Sequence, residues 1–94
     1  MKLIDVTNSH SDLVTRQLEN TDSHSVRVYS VGPCTVIYTI ANTHQNIIII
    51  NKSRPVRQRE IDFVLGKLLP DTNVDELETI KGDNFIQFEL KIKE

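Results

Sequence analysis

The sequence predicts one α+β domain over residues 1–94, with a mostly antiparallel five-stranded sheet and two main helices on one face of it. Leu, Ile, Val and Phe make up 31 of the 94 residues, and eleven of these are isoleucine, which favours a strand-rich aliphatic core. Several segments alternate between apolar and polar residues, whereas two others repeat at helical spacing. The predicted order is strand, helix, three strands, helix, short helix, strand.

The first elements are a short strand and an amphipathic helix. Residues 2–6 are partly apolar and predict the first strand. Leu13, Val14 and Leu18 then recur at helical spacing, with polar residues between them. We expect this helix to end near Thr21.

Three strands follow as a meander. Residues 24–31 and 34–41 are rich in β-branched residues and flank the turn signal Gly32-Pro33. The four isoleucines at 47–50 predict a third strand that is apolar on both faces and therefore central. The connections are too short for crossover helices, so the three strands should pair antiparallel.

The second half of the chain predicts a long helix, an ambiguous segment and a final strand. Pro55 is tolerated in the first turn of a helix, and Pro70 ends it. The buried stripe of this helix comprises Val56, Ile61, Val64, Leu65 and Leu68. Residues 73–80 carry acids suited to the start of a short helix. Residues 85–93 alternate most clearly and predict the last strand.

Composition excludes several classes of protein. The net charge of −2 gives no overall basic field for nucleic acid. The longest apolar run is far shorter than the ~20 residues of a membrane helix, and the N-terminus lacks the apolar stretch of a signal peptide. One cysteine cannot form an internal disulfide. We therefore expect a soluble cytoplasmic domain that does not contact membranes.

A basic cluster stands at the predicted start of the second helix. It consists of Lys52, Arg54, Arg57 and Arg59, four cations within eight residues that contain no acid. Free backbone N–H groups beside guanidinium groups suit a phosphate or carboxylate, so these residues predict an anion site, with a nucleotide or RNA backbone as ligand. The alternative is a solvated face whose charges are offset by Glu60, Asp62 or the acids after Pro70.

The remaining polar residues predict no catalytic residue, metal site or cofactor. The acids between residues 71 and 83 lack the spacing of a calcium loop. None of the three histidines has a metal-ligand partner at helical spacing, and no nucleophile elbow is present. Cys34 begins a predicted strand without a nearby base, so we interpret it as an inert, half-buried residue.

The outer sheet face is the second candidate surface. If the helices cover one side, the other side carries Arg27, Tyr29, Val31 and Ile37, with two of the isoleucines at 47–50. Exposed apolar patches of this kind mark contact surfaces, which predicts self-association or a protein partner. The alternative is a mixed polar face that water tolerates, as antiparallel sheets allow.

Three stretches carry a resemblance to a known family. Residues 1–9, 18–21 and 36–39 (MKLIDVTNS, LENT and VIYT) resemble a family of short uncharacterised proteins of streptococci, enterococci and lactobacilli. That family is a domain of unknown function. The resemblance implies a small intracellular bacterial protein over nearly the whole chain, and it supplies no catalytic residue.

These observations favour a non-enzymatic protein-interaction module that acts as a homodimer or with a protein partner. The alternative is a phosphate- or RNA-binding domain that uses the basic start of the second helix. Salt separates the two, because binding to nucleic acid weakens steeply as salt rises whereas an apolar contact does not.

Overall fold

A computed structural model describes residues 1–92 and confirms the α+β class. The strands are β1 (Ile4–Asp5), β2 (Ser25–Val31), β3 (Cys34–Ile40), β4 (His44–Ile50), β5 (Glu78–Lys81) and β6 (Phe85–Lys91), and the helices are α1 (Ser11–Asn20) and α2 (Gln58–Leu68). All strand pairs are antiparallel, in the spatial order β1-β2-β3-β4-β6-β5. Neither helix is long and apolar enough to cross a membrane within these residues.

The expectation of five strands is wrong, because the end of the segment 73–80, predicted as a short helix, belongs to an additional strand, β5. Only Val74–Glu76 is helical, as one 3₁₀ turn, and β5 follows it. The Gly82 N–H donates to the Phe85 carbonyl at 2.9 Å, which closes a hairpin and places β5 beside β6. The last strand ends at Lys91, and Lys93, which the prediction included, lies outside the described residues.

The main core lies between α2 and one face of the sheet, here called the first face. Ile61, Val64 and Leu65 of α2 pack over it. The buried sheet residues in this core are Val31, Cys34, Val36, Ile47, Ile49, Ile86 and Phe88. Four consecutive isoleucines place two side chains in the core and two on the opposite face, since successive residues of a strand alternate.

The other face, here called the second face, carries α1. Val26, Val28 and Ile37 lie on this face and are buried outside the α2 core. Helix α1 contacts β2, where two of these valines lie. The prediction that both helices share one face is therefore wrong. The physical reason is that β2 and β3 are apolar on both sides, so each side needs its own helix.

The strand register also corrects the predicted grouping of the sheet residues. The Gly32-Pro33 turn, with Gly32 at φ +56°, pairs Val31 directly with Cys34. Val28 is therefore opposite Ile37, so these two side chains share the second face. Arg27, Tyr29 and Val31 lie on the first face. The expectation that all three share a face with Ile37 is wrong.

Candidate functional site

The predicted basic cluster contains an internal ion pair. The Arg54 guanidinium donates from Nη1 to Oε1 and from Nη2 to Oε2 of Glu60, at 2.9 Å each. Arg54 retains about a quarter of its side-chain exposure, whereas the Glu60 side chain is 3% exposed. Two parallel charge-assisted bonds fix both geometry and orientation. The cation that the sequence assigns to a ligand is thus engaged by a carboxylate of the same chain.

Glu60 also occupies the N-terminal end of α2. Its Oε1 accepts the Arg57 backbone N–H at 2.9 Å. The hydrogen bonds from Arg54 lower the pKa of Glu60 to about 2, with a further contribution from the Arg57 N–H, against the opposing effect of burial. The carboxylate therefore stays ionised at neutral pH and supplies the negative charge that a helix N-terminus favours.

The remaining members of the basic cluster, Lys52, Arg57 and Arg59, are exposed. A ligand anion at the start of α2 would compete with Glu60 for both the Arg54 guanidinium and the Arg57 backbone N–H. The four-residue anion site stays a prediction. The cations that remain available to a ligand are the exposed Lys52, Arg57 and Arg59.

Cys34 lies beneath the same end of α2 and is buried. Burial, together with the neighbouring Glu60 carboxylate, raises the pKa of its thiol to about 11. The Asn51 side-chain amide donates to the sulfur at 3.9 Å. Because a thiolate is the nucleophilic form, this thiol is unsuited to covalent catalysis at neutral pH. Among residues 1–92, no group of three His, Cys, Asp or Glu side chains is placed to hold a metal ion.

The second face has an uncovered half beyond the reach of α1, over β4, β6 and β5. Its apolar side chains are Ile48, Ile50, Ile80 and Phe85, here called the second-face patch. Ile50 is opposite Phe85, and Ile48 and Ile80 flank Gln87 from either side. Ile80 is 59% exposed and Phe85 38% exposed, whereas Ile48 and Ile50 are half-buried. These four residues lie on one face of three neighbouring strands, grouped around Gln87.

Phe85 is held in this patch by a glycine. A Cβ at position 82 would overlap the Phe85 ring, so the ring lies directly against the Gly82 backbone. Gly82 and Phe85 also share the hydrogen bond that closes the β5–β6 hairpin. An aromatic side chain packed on a glycine near a sheet edge stabilises the strand pairing there.

The predicted interface residues do not come together on this surface. Val31 is fully buried in the core, and Ile37 is 5% exposed. Arg27 is exposed and lies 3.9 Å from the carboxylate of Asp5 on the first face. Tyr29 packs against the α2 core. A contact between these four residues and a partner stays a prediction.

Sequence reasoning missed Ile80 and Phe85 as surface residues. Phe85 stands one position before the apolar series that fills the core, so strict alternation from Ile86 already places it on the opposite face. Ile80 had no such signal, because the segment was assigned to a helix.

Comparison with known proteins decides the family. The model of a family described as "Domain of unknown function (DUF1827)" matches residues 1–91. This chain belongs to the DUF1827 family. The resemblance to a family of uncharacterised proteins is thereby confirmed.

A solved structure shares the DUF1827 fold. It is the crystal structure of a conserved protein of unknown function from Streptococcus thermophilus LMG 18311, 33% identical, with a TM-score of 0.91. The match covers 100% of this chain and 99% of that one. None of the curated proteins compared with the chain matches it. The family and this structure carry no stated activity, so function rests on the surfaces described above.

Proposed function

We propose that this DUF1827 chain is a non-enzymatic protein-interaction module whose contact surface is the second-face patch. The observation that carries the proposal is the uncovered half of the second face, where Ile80 and Phe85 expose apolar side chains beside two half-buried isoleucines. Exposed apolar residues that form one surface mark contact sites more strongly than scattered ones do. The edge strand β5 borders the same surface.

A second copy of the chain fits the charges around this patch. Lys52 follows Ile50 at one end of β4, and Glu78 and Glu89 are opposite each other at the far end of the neighbouring strands. Glu78 is paired with Lys91 at 3.2 Å, which leaves Glu89 outside every ion pair formed within residues 1–92. Two copies stacked face to face with antiparallel strands would bring Lys52 of each near Glu89 of the other. Such a two-fold contact is self-complementary.

The buried polar residues support a role without catalysis. Arg54 and Glu60 satisfy each other, and the Cys34 thiol is protonated because its pKa is about 11. These three residues are the ones whose chemistry would otherwise suggest an active centre. Their arrangement instead fixes the start of α2 against the sheet.

Sedimentation velocity at rising protein concentration tests the proposal. We expect the wild-type chain to shift from monomer toward dimer, and Ile80→Lys to remain monomeric over the same range. Val74→Lys is the matched control, because Val74 is similarly exposed and lies outside the patch. A wild-type chain that stays monomeric at high micromolar concentration would overturn the homodimer. Equal association by Ile80→Lys would overturn the second-face patch as its surface.

The salt dependence of binding distinguishes the alternative, a phosphate- or RNA-binding domain, from the protein-interaction module. The free cations available to it are Lys52, Arg57 and Arg59, since Arg54 is held by Glu60. Titration with a single-stranded RNA at low and high salt measures it directly. Affinity that falls steeply with salt and is lost in Arg57→Glu would favour this alternative.

A further inference from the structure

A groove separates the N-terminal segment from the last turns of α2, at the opposite edge of the sheet from β5. It is lined by Met1, Lys2, Leu3, Ile4, Phe63 and Lys67, and its volume is about 440 Å³. This volume falls within the ~300–1,000 Å³ typical of small-molecule sites. The groove shares no residue with the second-face patch, so it is independent of the proposed contact surface.

The walls of this groove are apolar. Leu3 and Phe63 are half-buried and pack against the α2 core, which gives the groove a fixed floor. Met1 and Ile4 are 61% and 53% exposed and form the outer rim. Leaving these two apolar side chains in water is unfavourable, so a ligand that covers them gains free energy from their burial.

The charged side chains of the groove are both cations. Lys2 and Lys67 are exposed, and no acid is among the lining residues. The Lys67 Nζ atom lies 5.8 Å from the centre of the Phe63 ring, so one ammonium group stands directly above the apolar floor. Two lysines beside an apolar cleft are complementary to a molecule with one apolar chain and one negative end.

We propose that this groove binds a single-chain alkyl carboxylate. The alkyl chain lies against Leu3, Ile4 and Phe63, and the carboxylate meets the ammonium groups of Lys2 and Lys67. The carboxylate is ionised at neutral pH, so it keeps its charge in the complex. Apolar contact then sets the affinity, and the lysines set the preference for a negative end over a positive one.

Isothermal titration with octanoate and decanoate, both below their micellar concentrations, tests this site. We expect saturable binding of one molecule per chain. Each methylene that contacts the groove should raise the affinity about fourfold, so decanoate, with two more methylenes, should bind roughly fifteen times more tightly than octanoate. Decyltrimethylammonium, which has the same chain and the opposite charge, should bind much more weakly than decanoate.

Variants locate the site. Lys67→Glu should weaken decanoate binding by about fivefold, because it reverses one of the two charges at an exposed position. Lys67→Met, which keeps an apolar stem over Phe63, should weaken the preference for the anion, since Lys2 remains, and retain the dependence on chain length. Lys81→Glu is the matched control on the far edge of the sheet and should bind as the wild type does.

Three results would overturn the proposal. The first is the absence of saturable binding by decanoate. The second is equal binding of the cationic and anionic amphiphiles. The third is a set of amide chemical-shift changes at Ile80 and Phe85 in place of residues 1–4 and 63–67, which would show the amphiphile covering the second-face patch.

Discussion

The Arg54 guanidinium donates two hydrogen bonds of 2.9 Å each to the carboxylate of Glu60, six positions later in the chain. The same carboxylate accepts the Arg57 N–H at the start of α2. One buried acid therefore ties the loop before α2 to the helix itself. Part of the basic cluster therefore stabilises the start of α2, although its composition suggests a ligand site.

Replacing Glu60 by Gln should destabilise the fold. The neutral amide cannot accept both hydrogen bonds from Arg54. A hydrogen bond to a charged group contributes about 1.5–3 kcal/mol to the free energy of unfolding. We expect the free energy of unfolding, measured by urea denaturation at pH 7, to fall by about 2 kcal/mol. Glu76→Gln, at an exposed position, should change it by less than about 0.5 kcal/mol. Equal effects of the two variants would contradict this structural role.

Acid should remove the contribution of Glu60. Its pKa in the folded chain is about 2, below the usual 4.5, so folding favours the ionised form of the carboxyl group. The stabilisation is complete about one pH unit above the usual pKa of 4.5 and is lost as the pH falls toward 2. The difference in unfolding free energy between wild type and Glu60→Gln should be constant from pH 7 to pH 5.5 and shrink below that. A difference that grows in acid would contradict the assignment.

The Cys34 thiol should resist modification while the chain is folded. Its pKa of about 11 against a usual 9.0 lowers the thiolate fraction near pH 8 about 100-fold, and burial slows access further. We expect a disulfide reagent to react at least about 100-fold more slowly with the folded chain than with the chain in urea. Comparable rates in the two conditions would show that α2 does not cover the thiol.

Two glycines should respond in opposite ways to alanine. At position 82 the added Cβ overlaps the Phe85 ring, so Gly82→Ala should displace that ring and destabilise the β5–β6 hairpin. At Gly66, in the exposed middle of α2, nothing lies within 4 Å, and alanine should stabilise by about 0.5–1 kcal/mol. Thermal unfolding of both variants measures the contrast. A stabilised Gly82→Ala variant would contradict the contact with Phe85.

The sequence predicted the meander and the body of α2 because local patterns determine them, but the expected helix start at Pro55 is wrong, since α2 begins at Gln58. The Gly32-Pro33 turn and the run of isoleucines specify β2, β3 and β4 through alternation and turn chemistry alone. The prediction of a helix over residues 73–80 is wrong because only the acids of the segment were weighed, and these favour a helix start. The segment pairs with β6, which follows it in the chain. Pairing with the next strand through the β5–β6 hairpin overrides local propensity there.

The placement of α1 and the state of Arg54 depend on contacts that no local pattern carries. A helix with an apolar stripe fits either face of a sheet, and the register that makes Val28 and Ile37 neighbours decides which face needs cover. The pairing of Arg54 with Glu60 depends on how the loop folds back onto α2. The spacing of charges in the sequence identifies the cations of the cluster but does not predict which acid pairs with them.

The central claim is that the second-face patch is the contact surface of this chain. Amide chemical shifts followed while the protein is diluted from high to low micromolar concentration test it most directly. The account predicts concentration-dependent shifts at Ile48, Ile50, Ile80 and Phe85, with Val26 and Val28 beneath α1 unchanged. Shifts confined to other residues, or spectra that do not change with concentration, would contradict it.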